Sequence, residues 1–284
     1  MADTVGMQDI RGLNVNKIVT GFALQEFIMK QLVRVSGSSK WQERYYQETA
    51  ADLTATAPSV IEGVNRLSSF PTLEVSWTQM NSYHKKHAAE TTISWEDAIS
   101  NDIPVIERSL LRIARAIAKS VDGAIWTELT VNNYATINSG AATIPWASAS
   151  STPLANILEA KRAIWAQNYN PDRNGYLLLS PLGYKDLVQY LIHTKGASIP
   201  QFASEKVVNG NVGQILGLNI LVSNVVAASG AVVIIGQECG NYLELEPLNT
   251  ITIPDQGIKY TIRSWEIGVP QCTNPKAIYY IEGC

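Results

Sequence analysis

At 284 residues and 46% hydrophobic side chains, the chain has enough apolar material for one large or two ordinary cores, which excludes a disordered polymer. A net charge of -3 excludes a global attraction to nucleic acid, so any polyanion contact must come from a local patch. No run approaches the roughly eighteen apolar residues of a membrane span, and the first residues, MADTVGMQDIRGLNVNKIV, lack the basic start and apolar centre of a secretion signal. Cys239, Cys272 and Cys284 are odd in number and widely spaced, matching neither a disulfide framework nor a CxxC metal site, and are expected to be reduced and structural.

Residues 1–35 read as a leading arm. Phe22, Leu24, Phe27, Ile28 and Leu32 fit one short amphipathic helix, while the first twenty or so residues show no clear period. An arm that cannot bury itself is expected to pack on a neighbour. Residues 36–93 change character: VSGSSKWQERYYQET, a polar small-residue stretch, then FPTLEVSWTQM, in which Leu73, Val75 and Trp77 alternate with Glu74, Ser76 and Thr78. That is strand periodicity inside weakly structured sequence, and it predicts a long extended hairpin or loop excursion.

Ser94 with Asp97, then Ser100 or Asn101 with Pro104, are helix-start signals leading into NDIPVIERSLLRIARAIAKSVDGAIWTEL. Ile103, Ile106, Leu110, Ile113, Ile117 and Val121 recur at steps of three and four, which puts them on one stripe that must be buried. Arg108, Arg112, Arg115 and Lys119 repeat on the opposite side. Like charges four apart weaken an isolated helix by about 0.2–0.5 kcal/mol per pair, and few acids lie nearby to compensate. From this segment alone the row reads as a solvated face; a counter-charge outside the helix would make it a binding face.

After the Gly/Ser/Ala-rich connector NNYATINSGAATIPWASASS, Thr152 and Pro153 start a second helix carrying Leu154, Ile157, Leu158 and Ile164. YLLLS at 176–180 is a short apolar strand, and Ser180 with Pro181 starts a third helix with Tyr184, Leu187, Val188 and Leu191. This order predicts a sheet covered by helices. His193 to Asn211 is a polar loop too long for a simple connection, hence a contact element. Strands follow at 219–226 and 231–236, then at NYLELEP, KYTIRSWE and AIYYI.

A search for chemistry is mostly empty. His84 and His87, with Glu90, lack the three or four convergent ligands of a zinc site and are expected to be solvated loop histidines. His193 stands without a GxSxG elbow or a triad order. Glu244 and Glu246 share one strand face, which more often marks the wet side of a sheet than an acid pair. The glycines of GNVGQILG precede a strand and lack a following Lys-Ser/Thr, so they read as turn glycines. Tyr83, His84, Lys85 and Lys86 form a small basic segment, compatible with a partner contact or with ordinary solubility. No cofactor is implied.

In this order, FPTLEVSWTQMNSYHKKHAAETTISWEDAISNDIPVIERSLLRIARAIAKSVDGAIW, ILEAKRAIWAQNYNPDRNGYLLLSPLGYKDLVQYL, VGQILGLNILVSNVV, YTIRSWEIGV and PKAIYYI resemble the major capsid proteins of tailed bacteriophages and related archaeal viruses. The resemblance implies the α+β Johnson fold, which encapsulin nanocompartments share. It implies an N-terminal arm (1–35), an extended loop (36–93), a peripheral domain with a long spine helix (94–135 and 240–284) and an axial domain (136–239). The function it implies is a shell subunit without enzymatic activity, assembling in the host cytoplasm into pentamers and hexamers of a virion. Arg108, Arg112, Arg115 and Lys119 would then face packaged double-stranded DNA, and Tyr83 to Lys86 would form an inter-subunit loop tip. The loop would lie over an adjacent subunit, residues 193–211 would crowd the capsomer centre, and contacts would each bury on the order of 1,600 Å² or more. Scaffold, portal and decoration proteins are partners the resemblance allows. Because the chain starts directly with its arm, a separate scaffold or none is expected. An encapsulin-like compartment enclosing a cargo protein is the alternative.

Overall fold

The computed structural model describes residues 12–48, 64–70, 77–100, 105–148, 150–192, 213–255 and 257–284. The expected contact loop at 193–211, the alternation at Leu73 and Val75, and Ile103 and Pro104 at the start of the long helix lie outside them.

Two bodies are built on different sheets. The first centres on a hairpin of two long strands, β10 (Gly240–Asp255) and β11 (Lys259–Cys272), in register from Gly240 opposite Cys272 to Asp255 opposite Lys259. The sequence pattern predicts only the start of β10. Register shifts between Glu244 and Asn249 let the strand continue past Pro247, which has no amide to give the ladder. Strand β1 (Arg34–Gly37) flanks β10 and β4 (Lys85–Ser94) flanks β11. Residues 85–93, expected in the loop excursion, therefore form a sheet edge, with Lys85 opposite Gly268 and Ser94 opposite Lys259. What remains of the excursion among the described residues is a two-stranded ribbon of β2 (Gln42–Glu48) and β3 (Trp77–Tyr83). One face of it is fastened to the body: the Tyr45 hydroxyl donates to Glu128 Oε1 at 3.2 Å and Gln47 Nε2 to Asn133 Oδ1 at 2.7 Å. The other face exposes Tyr46, Trp77 and Tyr83.

The long helix, Val105–Trp126, packs across this sheet and runs on as a π-helical turn over Thr127–Val131. Ile106, Leu110, Ile113, Ile117 and Val121 are all buried, as the three-four spacing requires. The start signal at Ser94 belongs to a separate short helix, Trp95–Ser100, where Ser94 Oγ accepts the Asp97 amide at 3.1 Å. Among the described residues the helices of six or more residues are, in chain order, α1 (Gly12–Glu26), α2 (Trp95–Ser100), α3 (Val105–Trp126), α4 (Pro153–Trp165) and α5 (Pro181–Tyr190).

The leading arm departs from expectation. From residue 12 it folds back on its own chain, with Val15, Val19 and Ala23 at steps of four fully buried against α3 and β10. A spacing of four with small or β-branched residues makes a thin stripe, which is why the period was weak in the sequence.

The second body is a six-stranded sheet in the order β5 (Asn138–Ala141), β12 (Ile278–Glu282), β9 (Gly230–Ile235), β6 (Gly175–Leu179), β8 (Leu218–Val222), β7 (Gln214–Ile215). Every residue of β9 is buried. Helix α4 packs on β12 and β5 through Ile157 and Ile164, while Leu158 is exposed. Helix α5 starts as predicted, Ser180 Oγ accepting the Gly183 amide at 3.0 Å with Pro181 in the first turn. Between β7 and β8 the two-residue turn Leu216-Gly217 has φ of 49° and 81°, so Gly217 is indeed a turn glycine.

Candidate nucleic-acid interface

Arg108, Arg112, Arg115 and Lys119 are all exposed on the side of α3 opposite its buried stripe. At about 1.5 Å per residue the row is roughly 16 Å long, enough to span several phosphates of a duplex. Arg115 Nε donates to Glu26 Oε1 at 2.7 Å, so the end of α1 supplies one counter-charge that the sequence did not reveal. Among the described residues Arg108, Arg112 and Lys119 have no ion-pair partner. Beside Arg115 and Lys119 a cavity of about 320 Å³ opens between the end of α1, α3 and Ser223, Asn224 and Val225. Asp122 also lines it and accepts the amides of Ile28 at 2.9 Å and Met29 at 3.2 Å. Burial pushes the Asp122 carboxyl up to about 6, against the pull of those amides and of Lys30.

Tyr83, His84, Lys85 and Lys86 sit where β3 meets β4, at the base of the ribbon on the sheet edge and not at a free tip. His84 and His87 are buried, correcting the expectation of solvated histidines. His84 lies 6.5 Å from the Trp41 ring, and His87 Nδ1 is 2.8 Å from Ser120 Oγ on α3. Desolvation pushes both imidazoles below their ordinary value, for His87 with help from Lys85 and Lys30. Lys85 and Lys86 are exposed, Lys86 Nζ lying 5.4 Å over the Trp265 ring, and Tyr83 is exposed beside them.

Sequence reasoning missed the most concentrated polar cluster. Lys30 Nζ is 2.6 Å from Glu266 Oε1 and 2.8 Å from Glu244 Oε1, and the Tyr242 hydroxyl donates to Glu266 Oε1 at 2.9 Å. Glu244 therefore faces a partly buried cation and not open solvent. A signal existed: Ile262, Ser264 and Glu266 share one phase of β11, which puts a carboxylate on the inward face. Cys239, Cys272 and Cys284 are free thiols, and burial pushes Cys239 up to about 12. Among the described residues no three His, Cys, Asp or Glu side chains converge as a metal site.

This arrangement of a long helix over a sheet, a ribbon at its edge and a second helix-covered sheet can be compared with known proteins. Residues 80–281 match the family described as phage capsid protein. The chain belongs to that family. No curated protein matches the sequence. Three similar solved structures share its fold: the capsid of cyanophage P-SCSP1u, Mycobacterium phage Che8 and a virus-like particle from Pyrococcus furiosus. The first is 13% identical with a TM-score of 0.67, covering 100% of this chain and 93% of that one. Che8 is 16% identical with a TM-score of 0.63, covering 90% of each chain. The Pyrococcus particle is 10% identical with a TM-score of 0.63, covering 95% of this chain and 98% of that one. The capsid protein thus has the Johnson fold expected from its sequence, and it is a viral major capsid protein, a structural subunit of a virion shell.

Proposed function

We propose that copies of this capsid protein assemble as pentamers and hexamers into an icosahedral shell around double-stranded DNA, with α3 on the inner wall. The observation that carries the reading is the cation row, exposed along a helix whose other side is buried, with Arg108, Arg112 and Lys119 unpaired among the described residues. Phosphate contacts of this kind do not depend on base sequence and weaken with salt, each adding about 0.9 to the slope of log K against log salt. In this reading the sheet under α3 is the peripheral domain and the six-stranded sheet the axial domain. The ribbon is the extended loop, and its aromatic face of Tyr46, Trp77 and Tyr83 meets an adjacent subunit. Assembly takes place in the host cytoplasm, where scaffold, portal and decoration proteins are further partners.

Replacing Arg108, Arg112, Arg115 and Lys119 by Gln is expected to leave shell formation intact, seen by electron microscopy, while lowering the DNA content read from the absorbance ratio of purified particles. Unchanged DNA content in that variant would overturn the inner-wall assignment. Wild-type shells that contain protein alone would support a cargo compartment instead.

A further inference from the structure

Among the described residues, the link between α1 and β1 concentrates polar attachments within a few positions. Among its described side chains the helix buries Val15, Val19 and Ala23, and Asn16 Oδ1 accepts the Thr250 amide at 3.0 Å. At the end of α1 Glu26 pairs with Arg115, and within the next few residues the amides of Ile28 and Met29 are held by Asp122 and Lys30 enters the carboxylate cluster. Lys30 Nζ also lies over the rings of Phe27 and Tyr242, at 4.2 and 4.9 Å. Glu266 is wholly buried and its Oε2 has no hydrogen-bond partner, so the lysine is the charge that makes its burial tolerable. Past this point the chain is anchored independently: the Leu32 carbonyl accepts the Gln237 amide at 2.6 Å, and β1 pairs with β10.

We propose that residues 12–31 form a strap that opens as one unit about Leu32 and Val33, with Lys30 on Glu266 as its latch. Closed, the strap holds Arg115 through Glu26 and covers part of α3. Open, it returns Arg115 to the cation row and uncovers the face of α3 on which Val15, Val19 and Ala23 sit. The latch stands on the contacts alone; its consequence for DNA rests on the proposed inner-wall role of α3.

Hydrogen exchange on the full-length unassembled subunit tests the latch. The double variant Lys30→Met with Glu266→Gln removes both charges of the pair together, so β11 is not left with an uncompensated carboxylate. Amides of residues 15–31 are expected to exchange on the order of 100-fold faster, while β6, β9 and β11 keep their rates. Wild-type protection of α1 in this variant would overturn the proposal, as would loss of α1 protection only in step with β11. Should the double variant fail to fold, Lys30→Gln, which keeps a hydrogen-bond donor beside Glu266 but removes the ion pair, is expected to raise exchange in the same segment several-fold; no change would overturn the latch. In assembled shells the unlatched variant is expected to steepen the salt dependence of DNA release by about one contact. A normal slope with fast α1 exchange would leave the latch standing and remove its link to DNA.

Discussion

The two large sheets bury their strands with different chemistry. In the six-stranded sheet, β9 reads GAVVII and is buried throughout, between β6 and β12. In the four-stranded sheet, β11 buries Thr261, Ser264, Glu266 and Gln271 among its apolar residues. An apolar strand accepts any apolar neighbour of about the right shape, so β9 contributes stability without choosing its partners. A buried polar group is tolerated only beside its complement. Ser264 Oγ meets Thr250 Oγ1 at 2.8 Å, Gln271 Nε2 donates to Ser82 Oγ at 2.9 Å, and Glu266 meets Tyr242 and Lys30. Those partners come from β10, from the ribbon and from the segment after α1. The polar sheet therefore decides which distant parts of the chain meet, and the apolar sheet supplies much of the reason to fold.

If this contrast is right, damage to the apolar sheet is the most severe. Val233→Asp places a charge with no counter-charge in β9 and is expected to cost at least about 4 kcal/mol in urea unfolding of the unassembled subunit, or to prevent folding. A cost near 1 kcal/mol would show that β9 is not the core it looks like. In the polar sheet, Glu266→Ala leaves Lys30 with Glu244 and the Tyr242 hydroxyl without its acceptor, for a loss of roughly 3 kcal/mol. On that background Lys30→Met is expected to cost less than it does in the wild type, a non-additivity that the equivalent pair in β9, Val232→Ala with Val233→Ala, lacks beyond ordinary neighbour effects.

A pH series sharpens the same contrast. Asp122 titrates at about 6 in the fold against an ordinary 3.8, because burial opposes its charge. The fold therefore holds this proton more tightly than the unfolded chain does. Its contribution to stability is fully present below about 4 and is lost as pH rises through about 6, with a slope of at most ~1.4 kcal/mol per pH unit. Asp122→Asn is expected to remove that slope from the urea midpoint between those values; an unaltered slope would assign it to another group. The smallest effect belongs to Arg115→Gln, which breaks the exposed pair with Glu26 and is expected to change stability in urea unfolding by less than about 1 kcal/mol and, because Glu26 already holds Arg115, to leave DNA retention in shells near the wild-type value.

Much of the architecture was legible because it rests on local rules. The stripe of α3, the apolar run of β6 and the Ser180-Pro181 start of α5 each depend on residues within a turn or two of one another. Other features resisted such rules. His84 and His87 looked solvated because their polarity is visible in the sequence and the Trp41 and Ser120 side chains that enclose them are not adjacent. The four cations of α3 were found by spacing, yet the Glu26 that holds Arg115 was not, being 89 positions away. Glu244 was assigned to water because alternation gives the two faces of a strand but does not say which faces inward when both carry polar residues.

Composition and periodicity alone established a folded chain of helices and strands, its apolar faces, many of its element starts and a row of positive charge opposite a buried stripe. The tertiary structure decided where the ionisable residues went: Lys30 to Glu244 across 214 positions, Asp122 to the Met29 amide across 93. The reason is energetic. An apolar side chain gains from burial almost wherever it goes, so its pattern announces itself, whereas a charge gains only where a distant segment brings its complement.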